Sequence, residues 1–159
     1  MKPWKILAVC TILTLATSRA SYADEVTQGE AYCYEMQHAI NALADFTETT
    51  CLPSKDKNGI TFLMLSSKPV FSVAASKKAW LLVVAGSLGK TLNEHPKFKA
   101  DSVIVSDFNS MRSRQGFRFP AKLAKTLQPK VYDGSMELET MYSKILAELT
   151  PFSVPERPH

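Results

Sequence analysis

Apolar positions recur along the chain in two rhythms. Between Gly29 and Thr47, Cys33, Met36, Ile40, Leu43 and Thr47 return every three or four residues, while Glu30, Gln37, Asn41, Asp45 and Glu48 occupy other faces. That period predicts one amphipathic helix ending near Thr49. Two stretches are instead apolar and short: ITFLML at 60–65, with Gly59 before it and Ser66, Ser67 and Pro69 after it, and SVIVS at 102–106, between Asp101 and Asp107. Runs of this length, rich in strand-formers and bounded by turn residues, predict strands buried on both faces. Between them, Trp80, Val83, Val84, Leu88 and Leu92 return to helical spacing over 73–95, and Pro96 stands where a helix stops. Strand, helix, strand predicts a parallel pair joined by a right-handed crossover.

The remaining segments are read from their punctuation. PSKDKNG at 53–59 reads as a turn, and FNSMRSRQGFRF at 108–119 as a loop. Pro120 is placed to open a helix whose Leu123, Ala124 and Leu127 face inward up to Pro129. Asp133-Gly134 makes a turn, and Ser135 caps a last helix with Leu138, Met141, Tyr142, Ile145 and Leu149 as its stripe. The expected fold is a single small α/β domain over 24–150, with a two- or three-stranded parallel or mixed sheet packed by about four helices. PFSVPERPH, 151–159, is expected to be a flexible tail.

WLLVVAGSLGKTLNEH, 80–95, contains Gly-Lys-Thr and so invites a nucleotide reading. A phosphate-binding loop needs glycine five residues before the Gly-Lys pair, so that backbone amides wrap the phosphate unobstructed. Val84 stands there, and Pro96 follows too soon for a long helix. The stretch is expected to be a buried helix, with Gly86 and Gly89 allowing a neighbour to approach.

The first 23 residues have the pattern of a secretory signal: Lys2 and Lys5, an uncharged run from Ile6 to Ala16, and small residues up to Ala23. Eleven apolar residues fall short of the roughly 20 that span a bilayer, and the densest later run, Ala79 to Ala85, has seven. No stable membrane insertion is expected after cleavage, and the location is expected to be periplasmic or secreted. Val9 before Cys10, with the apolar run continuing past it, disfavours a lipoprotein.

Removing the signal changes the charge picture. Lys2, Lys5 and Arg19 leave with it, so 16 basic residues face 15 acidic ones, and a nucleic-acid partner is not expected. The sign alternates along the chain: six acids and no bases over 24–51, fourteen bases and four acids over 52–130, two bases and five acids over 131–159. Either the acidic ends neutralise the basic middle, or part of that middle stays open to an anionic partner.

Two cysteines remain, Cys33 and Cys51. In an oxidising compartment a bridge is expected, worth about 3 kcal/mol in the chain-entropy model. It requires the first helix to break early or the chain to fold back, because fourteen helical residues span about 21 Å. A catalytic thiol would depend on His38, the one local base.

Catalytic patterns are weak. No histidine stands at metal-ligand spacing from another histidine or a cysteine, and no metal or cofactor is expected. Ser54 with Lys57 and Ser87 with Lys90 match Ser-x-x-Lys without its supporting motifs, and no Gly-x-Ser-x-Gly is present. Topology gives the best candidate, because open parallel sheets bind ligands beyond the carboxyl ends of their strands. Those ends carry Ser66, Ser106, Asp107 and Asn109, followed by Arg112, Arg114 and Arg118 interleaved with Phe108, Phe117 and Phe119. Guanidinium groups there suit carboxylates or phosphates; the plainer alternative is a solvated loop anchored by its phenylalanines.

Gly29 to Cys33, Cys51-Leu52-Pro53 and the helix ending at His95-Pro96 faintly resemble patches of the small periplasmic immunity proteins that inhibit toxin amidases. That resemblance implies an all-helical inhibitor, whereas ITFLML and SVIVS read as strands. The expected function is therefore an exported, non-catalytic protein that binds a macromolecular partner or an anionic ligand through the loop at 107–119. A toxin-neutralising inhibitor, or a small hydrolase using Ser66, Ser106 or Asp107, is the alternative.

Overall fold

The computed structural model describes residues 24–43, 48–107 and 115–153. The expected signal, the tail beyond Ser153, and the loop segment carrying Asn109, Arg112 and Arg114 lie outside the described residues. Helix α1 runs over 24–41. It is followed by β1 (Thr49–Asp56), β2 (Gly59–Ser66), a 3-10 turn (Val70–Ser72) and α2 (Ala74–Glu94). Then come β3 (Ala100–Asp107), β4 (Gln115–Pro120), α3 (Ala121–Tyr132), α4 (Leu138–Glu148) and β5 (Thr150–Ser153).

The α/β class and, among the described residues, four helices match expectation; the sheet is larger. It has five strands in the order β1-β2-β3-β4-β5, and β2–β3 is its parallel pair, the other neighbours being antiparallel. The three additional strands were hidden for one physical reason. β1 is an edge strand, where Pro53 removes no needed ladder bond, so only Lys57-Asn58 of the expected 53–59 turn is a turn. β5 is the other edge and likewise tolerates Pro151, so 151–153 of the expected tail is paired. β4 lies within the expected loop, its alternation confined to Phe117, Arg118 and Phe119. Such strands form because a neighbour supplies hydrogen bonds, and single-segment propensity does not report that. The all-helical architecture implied by the immunity-protein resemblance is not the one observed.

Alternation sorts each strand between two faces. Cys51, Phe62, Met64, Val103, Val105, Phe117 and Phe119 share one face by register, and Trp80, Leu81, Val84, Leu88, Met141 and Ile145 of the helices join them in the core. Leu52, Leu63, Leu65, Ile104, Arg118 and Phe152 point to the other face. The 80–95 stretch is indeed helical. α2 meets α3 at Gly89, where an added Cβ would lie 2.5 Å from the Ala124 carbonyl oxygen and the Gln128 Cβ. Gly86, three residues earlier, has nothing within 4 Å of the same position, so the expected close approach holds at one glycine and fails at the other.

α3 continues through Pro129 to Tyr132 instead of stopping. Proline lacks the N–H that would bond the carbonyl four residues back. Asn93 of α2 supplies a substitute, its Nδ2 donating to the Lys125 carbonyl at 3.0 Å and to that of Gly89 at 2.8 Å. Ser135 does not cap α4, whose N-cap is Glu137. The Ser135 N–H instead donates to Asp133 Oδ1 at 2.8 Å, and hydrogen bonding from the Ser135 side chain and then from this N–H holds the Asp133 carboxyl below the usual carboxylate range.

The early end of α1 resolves the disulfide geometry. Because the helix stops at 41 and the chain returns as β1, Cys33 and Cys51 stand at disulfide distance, their Cα atoms 5.2 Å apart. α1 also protects the sheet edge: Gln37 Oε1 accepts from the Cys51 N–H at 3.1 Å, and Asn41 Oδ1 from the Thr49 N–H at 2.7 Å. Charge closes the same way, Lys55 pairing with Glu25 and Lys78 with Glu139, so acids from both chain ends meet the basic middle.

Candidate functional site

The expected site residues come together only in part. β2 and β3 do end side by side, with Ser66 opposite Asp107 and Leu65 opposite Ser106. Register therefore puts Ser66 and Asp107 on the helix-facing side and Ser106 on the reverse, so the two serines do not face one ligand. Ser66, Ser106 and Asp107 are 2%, 1% and 1% exposed. Two of them also hold backbone: Asp107 Oδ2 accepts from the Phe71 N–H at 3.0 Å, and Ser66 Oγ from the Lys68 N–H at 3.2 Å. These bonds fasten the 3-10 turn over the strand ends, satisfying groups whose burial would otherwise cost free energy.

Phe117 and Arg118, described residues of the basic-aromatic loop, are consecutive in β4 and so point to opposite faces. Phe117 packs edge-on against Phe71 at 5.1 Å, with Lys77 Nζ 4.8 Å from its ring centre. Arg118 lies over Phe152 at 5.0 Å and lines a cavity of about 240 Å³ with Asp101, Ser102, Glu148 and Thr150. Its buried Nε has no hydrogen-bond partner among the described residues. Phe117 and Arg118 thus do not share one contact surface, although they adjoin in sequence.

Three other places carry chemistry that sequence reasoning missed. The first is an apolar groove of about 350 Å³ between the helices, bounded by Ile40 of α1 and Leu43 just beyond its end, Leu82 and Val83 of α2, and Leu138 and Met141 of α4. Gly86 forms part of its wall, so the absent side chain helps to create the space. Leu138 and Tyr132 on its border are 56% and 88% exposed, large values for apolar side chains flanking one opening. Lys90 is the one charged residue of its lining among the described residues. Leu43 and Leu138 were expected to be covered; with no residue larger than glycine at 86 to fill the gap, both stay open.

The second is a cavity of about 320 Å³ at the amino end of β2 and β3, lined by Lys55, Lys57, Lys97 and Lys99 together with Glu25, Gln28, Asn58, Gly59 and Phe98. Lys-x-Lys immediately before each of the two parallel strands was the available signal. The third is the grouping with metal-donor chemistry among the described residues: ligand atoms of Glu35, Glu94 and His95 lie within 4.8 Å of one another. Both glutamates are exposed, His95 Nε2 is 3.6 Å from Glu35 Oε2, and the imidazole stacks on Tyr32 at 4.4 Å.

Among the described residues no helix is long and apolar enough to cross a membrane. Comparison of the chain with family models, with curated proteins and with solved structures finds no match.

Proposed function

We propose that this is an exported, non-catalytic binding protein that receives an apolar, helix-forming segment of a protein partner in the groove between α1, α2 and α4. The groove itself carries the reading: an open apolar channel edged by exposed Leu43, Tyr132 and Leu138. Amphipathic helices dock in such channels through residues three and four apart. Lys90 on the border favours a partner with an acidic residue beside its apolar stripe. Export is supported by the Cys33–Cys51 pair, since such bonds persist in oxidising compartments. The non-catalytic reading is supported by the burial and internal bonding of Ser66 and Asp107, which leaves neither free to act on a substrate.

Photo-crosslinking in the native envelope tests this. A photoreactive residue at Leu138 should give one discrete adduct, which Gly86→Leu abolishes by filling the groove while the protein stays folded. The same residue at Tyr34, exposed on α1 but outside the groove, should give none. Equal adducts from both positions, or an adduct from 138 that survives Gly86→Leu, would reject the groove as the contact surface.

A further inference from the structure

We infer that the lysine-lined cavity at the amino end of β2 and β3 binds a small oxyanion carrying two or more negative groups. The parallel pairing builds it. Ile60 is in register with Ala100, so the residues preceding each strand are brought to one end of the sheet. Lys55 and Lys57 arrive from the β1–β2 hairpin, Lys97 and Lys99 from the segment after α2.

The bases of these side chains are held in place. Gly59 closes the hairpin at φ 139°, a conformation that side-chain-bearing residues rarely adopt. Phe98 is buried between Lys97 and Lys99, its ring edge-on to Tyr32 at 4.6 Å, so both flanking lysines are directed outward.

The charge there is not general basicity, and only Lys55 among the four lysines is in an internal ion pair among the described residues. Beyond residue 23 the chain has 16 basic and 15 acidic residues, yet among the described side chains this cavity gathers four lysines against one lining carboxylate, Glu25, which pairs with Lys55. Lys57, Lys97 and Lys99 have no ion-pair partner among the described residues. Asp101, at the start of β3, lines the cavity beside Arg118, and its Cβ lies 3.6 Å from where a side chain at Gly59 would begin. Three like charges around one opening repel one another, and a multivalent anion relieves that repulsion while a monovalent one does so only in part. Ammonium groups act as point charges without a planar fork, so they suit clustered phosphate or carboxylate oxygens alike. The cavity's 320 Å³ falls at the lower end of the range for small-ligand sites, roughly 300–1,000 Å³.

This site shares no lining residue with the groove, so the two readings stand or fall separately. Calorimetric titration of the protein at low salt with tripolyphosphate and with citrate tests it, the two probes separating phosphate-bearing from polycarboxylate ligands. At least one probe should bind below about 1 mM, and the Lys57→Ala, Lys97→Ala, Lys99→Ala triple variant should weaken it by at least about tenfold. The Lys122→Ala, Lys125→Ala, Lys130→Ala triple on α3 makes the same change in net charge away from the cavity and should weaken binding less than about twofold. Absence of binding by either probe up to about 10 mM, or equal losses in the two triples, overturns the proposal. Should the cavity triple fail to fold, amide shifts of the unmodified protein decide the matter: probe-induced shifts must centre on Asn58, Gly59 and Phe98, and shifts centred elsewhere overturn it.

Discussion

The two ends of the β2–β3 pair treat their polar groups in opposite ways. At the carboxyl end Ser66 and Asp107 are buried, and their oxygens hold the backbone of the turn that leads into α2. At the amino end Lys57, Lys97 and Lys99 are exposed and make no ion pair among the described residues. Ligands favour the carboxyl ends of open parallel sheets because connecting loops leave a crevice there. Here the link from β2 to α2 is a 3-10 turn bonded to Asp107 across the strand ends, and the cavity of about 520 Å³ at this end is lined by that link and the start of α2. A rule about strand ends holds only as far as the connection stays clear of them.

The largest expected effect concerns the brace beside both ends. Replacing Cys33 and Cys51 with alanine should lower unfolding free energy by about 3 kcal/mol. Urea denaturation measures it, and a loss below about 1 kcal/mol would mean that Gln37 and Asn41 suffice to hold α1 on β1.

Next comes the carboxyl end itself. Asp107→Ala strands the Phe71 N–H and should cost about 1–3 kcal/mol while leaving anion titrations unchanged. Asp107→Asn keeps an acceptor and should recover most of the loss. An alanine variant of full stability that no longer binds tripolyphosphate or citrate would invert the contrast between the ends.

α2, which separates the two ends, offers an internal control. Gly89→Ala forces a Cβ against the Ala124 carbonyl and should destabilise by about 1–3 kcal/mol. Gly86→Ala meets open space and should stabilise by about 0.5–1 kcal/mol through helix propensity alone. Thermal melts showing the same sign for both would contradict the close contact of α2 and α3.

The smallest expected effect is at the amino end. The Lys57, Lys97, Lys99 triple alanine variant should change stability by no more than about 0.5 kcal/mol, because exposed and unpaired charges carry little of the fold. A loss of several times that, by the same urea measurement, would make these lysines structural.

The sequence by itself determined the elements that bury a face along their own length. α2, β2 and β3 were legible because their apolar positions follow a helical or a continuous period, and their parallel pairing followed from the order strand, helix, strand. Cys33 and Cys51 could be matched because only two cysteines follow the apparent signal. Only the tertiary structure decided β1, β4 and β5, which depend on a neighbour's hydrogen bonds, and the continuation of α3 past Pro129, which depends on Asn93. It also decided that Phe117 and Arg118 part company across a sheet and that two distant Lys-x-Lys pairs meet. Local periodicity records which side of an element is buried, and what gathers at that element's ends is set by register between strands far apart in the chain.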